Sequence, residues 1–96
     1  MNGPVSIDRE RLATALEADF GGTGGETRTV ARAAADLADD GRLESDLGLS
    51  LDGSLVRSEL ADAPEGSPAD RWNWWIGSLE VAYGGYEQFS VRRYRR

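Results

Sequence analysis

The fold of this chain is decided by residues 67–85, SPADRWNWWIGSLEVAYGG. Ser67, with Pro68 next and Asp70 three residues on, is typical of a helix start, because a serine and an acid at this spacing cap each other's backbone N–H groups. The two glycines at the end of the stretch are typical of a helix stop. At about 100° per residue, five apolar side chains fall within one arc. They are Trp72, Trp75, Ile76, Leu79 and Tyr83. We therefore predict that this stretch is the core helix.

A competing interpretation ends the helix at Gly77 and makes residues 79–91 a β-hairpin. A three-residue loop at 84–86 would then pair Val81 with Phe89. A glycine in the middle of a helix costs about 1 kcal/mol relative to alanine, which supports this alternative. The explicit capping signal favours the helix, and the hairpin stays open as the second interpretation.

Two further helices are predicted upstream, over residues 9–20 and 26–40, each with a recurring apolar face and a glycine at its end. Residues 47–51 alternate leucine with small or polar residues, which indicates a short strand. Ser54 is then a suitable cap for a short helix that ends before Pro64. The segment after the core helix is rich in residues that favour an extended chain, and residues 47–51 are its nearest partner strand. These residues are Tyr86, Phe89, Val91 and Tyr94.

The predicted fold class is mainly α (α+β), with three or four helices and a small two-strand β element near the C-terminus. A chain of 96 residues is long enough for one hydrophobic core, so we expect residues 1–96 to form a single small domain. Residues 1–7 are expected to be extended or disordered, and residues 92–96 form a basic tail.

The composition argues against several kinds of chemistry. The chain has no Cys and no His, so thiolate zinc sites, cysteine nucleophiles and the commonest general base are missing. An enzyme that works through carboxylates and a metal ranks third, since adjacent acids such as Asp39 and Asp40 are usually a solvated surface. No apolar run is long enough for a membrane span, and the N-terminus lacks the features of a signal peptide. We expect a cytoplasmic protein that is not an enzyme, with no catalytic residues, no metal, no cofactor and no membrane partner.

Trp74 is the first functional candidate. On the predicted helix it lies about 200° around from Trp72, with Gly77 and Val81 on the same side. A large rigid ring on a surface is typical of a protein-binding hot spot, whereas cover by the short strand or the N-terminus is the structural alternative. The predicted partner is a protein or a second copy of the chain, as a homodimer. The predicted binding residues are Trp74, Gly77, Val81, Tyr86 and Phe89.

The basic tail is the second candidate. Residues 1–91 carry a net charge of −10, and the last five residues return +4. Arginines around a tyrosine can bind phosphates and stack on a base, although an acidic body repels a polyanion. The main functional prediction is a non-catalytic protein-interaction module. The alternative is a nucleic-acid-binding regulator that uses Arg92, Arg93, Tyr94, Arg95 and Arg96.

The charge pattern predicts adaptation to salt. All 11 basic residues are arginine, against 17 acidic residues and a net charge of −6. High-GC codon usage explains abundant Arg, Ala and Gly, but it does not explain the acidic excess. Molar salt shortens the Debye length to about 3 Å and screens the self-repulsion of such a surface. We therefore expect folding to require salt, so circular dichroism melting curves should differ between dilute buffer and multimolar KCl. Identical curves would contradict this interpretation.

Overall fold

In the computed structural model, which describes residues 7–92, the chain forms five α-helices followed by one turn of 3-10 helix. The α-helices are α1 (Arg9–Phe20), α2 (Gly24–Asp40), α3 (Arg42–Leu47), α4 (Gly53–Ala61) and α5 (Pro68–Tyr83). The 3-10 turn covers Glu87–Phe89. The mainly helical prediction is confirmed. The bounds of α1 are as predicted, and α2 begins two residues earlier than predicted.

Four of the helices begin at a side chain that accepts a hydrogen bond from a backbone N–H of the first turn. These caps are Asp8, Thr23, Asp52 and Ser67. The predicted capping box at the start of α5 is confirmed, because the Asp70 carboxylate also accepts from the Ser67 N–H at 3.3 Å. The short helix α4 is capped by Asp52, one residue before its first, and not by the predicted Ser54. An Asp–Gly pair therefore both ends the preceding loop and starts the helix.

The predicted two-strand β element is wrong, because residues 7–92 contain no strand. The first expected strand, residues 47–51, begins with the last residue of α3. Leu43 and Leu47 are four residues apart, which suits one face of a helical turn as well as an alternating strand. Gly48, with a φ of 75°, then ends the helix in a left-handed conformation that a strand does not adopt.

The second expected strand and the alternative hairpin over residues 79–91 are also wrong. Helix α5 continues through Gly77 to Tyr83, where Gly84 and Gly85 turn the chain back with positive φ angles. The backbone after this turn is bonded to side chains of α5 and not to another strand. One carboxylate oxygen of Glu80 accepts from the N–H groups of both Tyr86 and Glu87, at 2.7 and 2.9 Å.

The core lies around α5, as predicted. Trp72 is fully buried, and its ring meets that of Trp75 edge to face with centroids 5.5 Å apart. The α2 face that packs here is built mainly from small residues, which allows α1 and α5 to approach α2 closely. Its buried residues are Thr27, Val30, Ala31, Ala34 and Leu37. Tyr83, predicted within the core arc, is 47% exposed because it is the last residue of α5.

Arginines hold the outer helices together. Arg57 of α4 forms a two-point ion pair with Asp19 of α1, at 2.7 and 3.0 Å, and this hydrogen bonding lowers the pKa of the Asp19 carboxyl. The Arg71 guanidinium donates to the carbonyl oxygens of Leu60 and Ala63 at the end of α4. Arg71 also covers the ring of Phe20, with its guanidinium carbon 4.6 Å from the ring centroid. Arg71 thereby fixes α5 to α4 and α1 from a flank of α5, and the core face of α5 stays available for apolar packing.

Candidate interaction surface

Residues 72–75, Trp-Asn-Trp-Trp, point to three different surroundings because a helix turns by about 100° per residue. Trp72 and Trp75 are buried in the core. Asn73 lies on a flank of α5 and is partly buried. Trp74 lies on the side of α5 opposite the core and is 41% exposed. The motif thus supplies the core, an anchor and a surface residue from a single turn.

Trp72 and Asn73 anchor residues 86–91, which we call the C-terminal segment. The Trp72 Nε1–H donates to the Phe89 carbonyl oxygen at 2.8 Å. The Asn73 side chain donates through Nδ2 to the Val91 carbonyl and accepts through Oδ1 from the Val91 N–H, each at 2.8 Å. Asn73 therefore satisfies both polar groups of one residue, as a neighbouring strand would. This pairing explains why a segment with strand-like composition needs no partner strand.

Tyr86 and Phe89, predicted as binding residues, serve mainly to hold the C-terminal segment. Tyr86 is fully buried, and its hydroxyl donates to the Asp46 carboxylate at 2.6 Å. Burial, together with this charged acceptor, raises the pKa of the Tyr86 phenol. The Arg42 guanidinium lies 5.9 Å from the Tyr86 ring centroid and 5.3 Å from that of the half-buried Phe89. The structure does not bring these two rings to the surface that contains Trp74.

Arg42 also ties the same region to the first helices. Its guanidinium donates to the Gly85 carbonyl and pairs with Asp40 at 2.8 Å, and this contact lowers the pKa of the Asp40 carboxyl. Asp40 is the last residue of α2, and Arg42 is the first residue of α3. One side chain therefore connects the α2–α3 junction with the turn after α5.

Trp74, Gly77 and Val81 do share one exposed side of α5, as predicted. We call this side, which also includes Ser78, the solvent face. Its four residues lie within an arc of about 100°, and Val81 is 91% exposed. The Trp74 indole makes no hydrogen bond or ring contact with any residue from 7 to 92. None of the four residues is charged.

Gly77 has no evident role in the monomer. Its backbone is helical, and a Cβ placed on it would meet nothing within 4 Å. A glycine in a helix interior costs about 1 kcal/mol relative to alanine. The monomer would accept an alanine here and would gain stability from it. Neither backbone conformation nor crowding within the described chain therefore explains the glycine.

A group of three arginines was not anticipated from the sequence. Arg9, Arg28 and Arg32 line an open cavity of about 450 Å³ between α1 and α2. None of the three forms an ion pair with a carboxylate of the described residues. Arg28 and Arg32 are four residues apart in a predicted helix, and this spacing is the signal that could have revealed two of the three arginines.

The arginine cavity extends toward the C-terminal segment. Thr29 and Arg32 also border a second depression, together with Gln88 and Ser90. Arg92, two residues further on, is exposed. The other predicted tail residues, Arg93, Tyr94, Arg95 and Arg96, lie outside the described residues.

Comparisons with known proteins place the chain in a named group. Residues 2–80 match the WNWW domain. The four letters of that name are the residues found at 72–75. No curated protein and no solved structure matches the chain. Within residues 7–92, no helix is long and apolar enough to cross a membrane, and no three carboxylates lie close enough to hold a metal ion.

The anchoring role of Asn73 can be tested by hydrogen exchange. Asn73→Ala removes both hydrogen bonds to Val91, each worth about 1 kcal/mol. We expect the Val91 amide to exchange at least tenfold faster, measured by NMR, while the Val30 amide in the core of α2 keeps its protection. Ser78→Ala is the matched control, because it removes an exposed hydrogen bond within α5. Unchanged protection at Val91 would contradict the anchor.

Proposed function

The chain belongs to the WNWW domain family, and we propose that it is a non-catalytic protein-interaction module that binds its partner through the solvent face of α5. The observation that carries the proposal is the exposure of Trp74 within a motif whose other three residues have roles inside the monomer. A tryptophan side chain is costly to leave in water. Burial against a partner offsets this cost and provides the rigid ring that typifies binding hot spots.

The chemistry of the solvent face supports a protein partner. Charged residues make up 29% of the chain, yet none lies among Trp74, Gly77, Ser78 and Val81. Depletion of charge and enrichment of aromatic residues are typical of the centre of a protein interface. In the salt-adapted cytoplasm that we propose for this protein, apolar contacts keep or gain strength, whereas contacts between charges are screened.

A non-catalytic role is also supported by the shifted pKa values. Each carboxyl whose pKa is lowered, Asp19 and Asp40, belongs to an ion pair between structural elements. The raised pKa of Tyr86 reflects its burial and its hydrogen bond to Asp46. These shifts are accounted for by contacts that stabilise the fold, so within residues 7–92 no group is left with a perturbed pKa that only catalysis would explain.

Nucleic-acid binding is the second candidate, and the arginine cavity favours it. Arg9, Arg28 and Arg32 share one cavity without carboxylate partners among the described residues, and Arg32 also borders the depression beside the C-terminal segment. Arginine binds phosphate through a planar fork of donors. Glu10 also lines the cavity and Asp36 the neighbouring depression, so together with the tail that begins at Arg92 the cavity would offer a path on which arginines outnumber acids.

The interaction proposal is tested by Trp74→Ser. Because Trp74 is 41% exposed and the rest of its surface is covered by the monomer, we expect the free energy of unfolding to fall by about 1–2 kcal/mol in thermal melts, with the fold retained. Affinity for the partner should fall at least tenfold, since hot-spot residues contribute about 2 kcal/mol or more. The measurement is quantitative cross-linking and capture from cells that express the protein, with wild type and variant compared.

Leu49→Ser is the matched control for this experiment. Leu49 is similarly exposed, at 45%, but lies between α3 and α4. It should leave every association intact. If wild type and Trp74→Ser retain the same proteins to the same extent, including further copies of the chain, the proposed function is wrong.

The nucleic-acid alternative is tested by replacing both Arg28 and Arg32 with glutamine. Fluorescence anisotropy with single-stranded RNA and DNA would be measured at several KCl concentrations at which the protein stays folded. If the alternative holds, the variant binds more weakly, and the slope of log K against log salt becomes shallower by about 1.4, for two lost phosphate contacts. Arg11→Gln, an exposed arginine outside the cavity, is the control. Absence of binding at every salt concentration rejects the alternative.

A further inference from the structure

We infer that the solvent face of α5 binds a second copy of this chain, with the two α5 helices antiparallel and a two-fold axis between Gly77 and Ser78. The inference rests on the proposed function, and it adds the identity and orientation of the partner. It follows from the spacing of the residues on the face, the absence of a monomer role for Gly77 and the placement of the charges of α5.

The solvent face is complementary to itself. In an antiparallel pair with this axis, each residue opposes the one equally far beyond the axis in the other copy. Trp74 then faces Val81 of the second copy, and Gly77 faces Ser78. A large ring meets a smaller apolar side chain at each end, and two small residues meet in the middle. A two-fold interface requires such a match, because one patch must fit a copy of itself.

The centre of the face suits close helix packing. Small residues at a crossing point let two helix backbones approach each other, and a Cβ at Gly77 would occupy that space. The monomer leaves the position open, with no atom within 4 Å of such a Cβ. The neighbouring Ser78 hydroxyl donates to the Trp74 carbonyl oxygen at 3.1 Å, so its hydrogen remains bonded when water is excluded. A second helix therefore gives Gly77 the role that it lacks in the monomer.

The charges of α5 are placed so that two acidic copies can meet here. A chain with a net charge of −6 repels its copy wherever acidic surfaces face each other. The three charged residues of α5 are engaged within the monomer. Asp70 bonds Ser67, Arg71 bonds the carbonyl oxygens of residues 60, 63 and 66, and Glu80 bonds the C-terminal segment. The face is thus uncharged from Trp74 to Val81. Asp70 falls in the same arc, but at 1.5 Å per residue its two copies would lie about 22 Å apart along the helices, so the two copies meet without opposing like charges.

The size of the face sets the expected strength. The face is formed by four residues, two of them Gly and Ser, so a contact of this size buries less than the roughly 1,200 Å² in total at the low end of stable specific interfaces. We therefore expect a reversible dimer that forms at concentrations on the order of 10⁻⁴ M and not an obligate one.

The inference is tested by sedimentation equilibrium of the full chain from 10⁻⁵ to 10⁻³ M in multimolar KCl, concentrations chosen on the order of the expected affinity. We expect a monomer–dimer equilibrium that Trp74→Val weakens at least tenfold. The double variant W74V/V81W should restore dimerisation to within about threefold of wild type, because it exchanges the two ends of the face and recreates the same Trp–Val pairs. Only an antiparallel arrangement centred on this axis predicts that rescue.

Variants of Gly77 should have opposite effects on the stability of the monomer and on the affinity of the dimer. Gly77→Ala should raise the melting temperature of the dilute monomer, since alanine is the better helix former, and should weaken the dimer at high concentration. Gly77→Leu should abolish the dimer and leave the fold intact, because Gly77 is exposed and a Cβ there meets nothing within 4 Å in the monomer. Leu49→Ala, at an exposed apolar site outside α5, should leave the equilibrium unchanged.

A weak interface would be populated at concentrations on the order of 10⁻³ M, so a strict monomer at that concentration overturns the inference. A dimer whose affinity does not change when Trp74 or Gly77 is replaced overturns it as well. A double variant that dimerises no better than Trp74→Val overturns the antiparallel pairing. If the purified chain is monomeric while Trp74-dependent capture of a different protein succeeds, the inference fails and the proposed function stands. If neither association depends on Trp74, both fail.

Discussion

The hydrogen bond from the Trp72 indole to the Phe89 carbonyl is the contact on which the arrangement around α5 depends. Trp72 is fully buried at the centre of the core, and a buried N–H without an acceptor would cost about 1 to 3 kcal/mol. The carbonyls in the interior of α1 and α2 are used within those helices and do not fill this role. The acceptor comes from the C-terminal segment, which must therefore turn at Gly84 and return along α5.

This return determines the remaining sides of α5. The flank with Asn73 and Glu80 is occupied by the C-terminal segment, whose backbone N–H groups donate hydrogen bonds to these two side chains. The other flank is held to α4 through Arg71. With the core side filled by Trp72 and its neighbours, the solvent face and the last turn are the parts of α5 that remain exposed among the described residues. The exposure of Trp74 is thus a consequence of how every other side of the helix is used.

The sequence alone predicted those elements whose signals are local. The capping box at Ser67, the apolar arc of α5 and the two glycines after it depend on neighbouring residues, and the structure has the helix as predicted. The face with Trp74, Gly77 and Val81 followed from the same angular count. The predicted strands failed because their outcome depends on residues far apart in the chain. Asn73 and Glu80 satisfy the backbone of the C-terminal segment, and alternation of apolar residues gives no information about such side-chain acceptors.

The fold also explains why the solvent face of α5 carries no charge although the chain is acidic. Each charged residue of α5 stabilises a junction: Asp70 the start of the helix, Arg71 the end of α4, and Glu80 the turn into the C-terminal segment. Arg71 and Glu80 lie on the flanks, and Asp70 lies on the side opposite the core but in the first turn, so that side carries no charge from Trp74 onward. A surface free of charge at that position is therefore a by-product of monomer architecture. The glycine at Gly77 is not, because an alanine there would meet nothing within 4 Å, and neither is the exposed part of Trp74, which no contact within residues 7–92 covers. These are the two features of α5 for which we propose a partner.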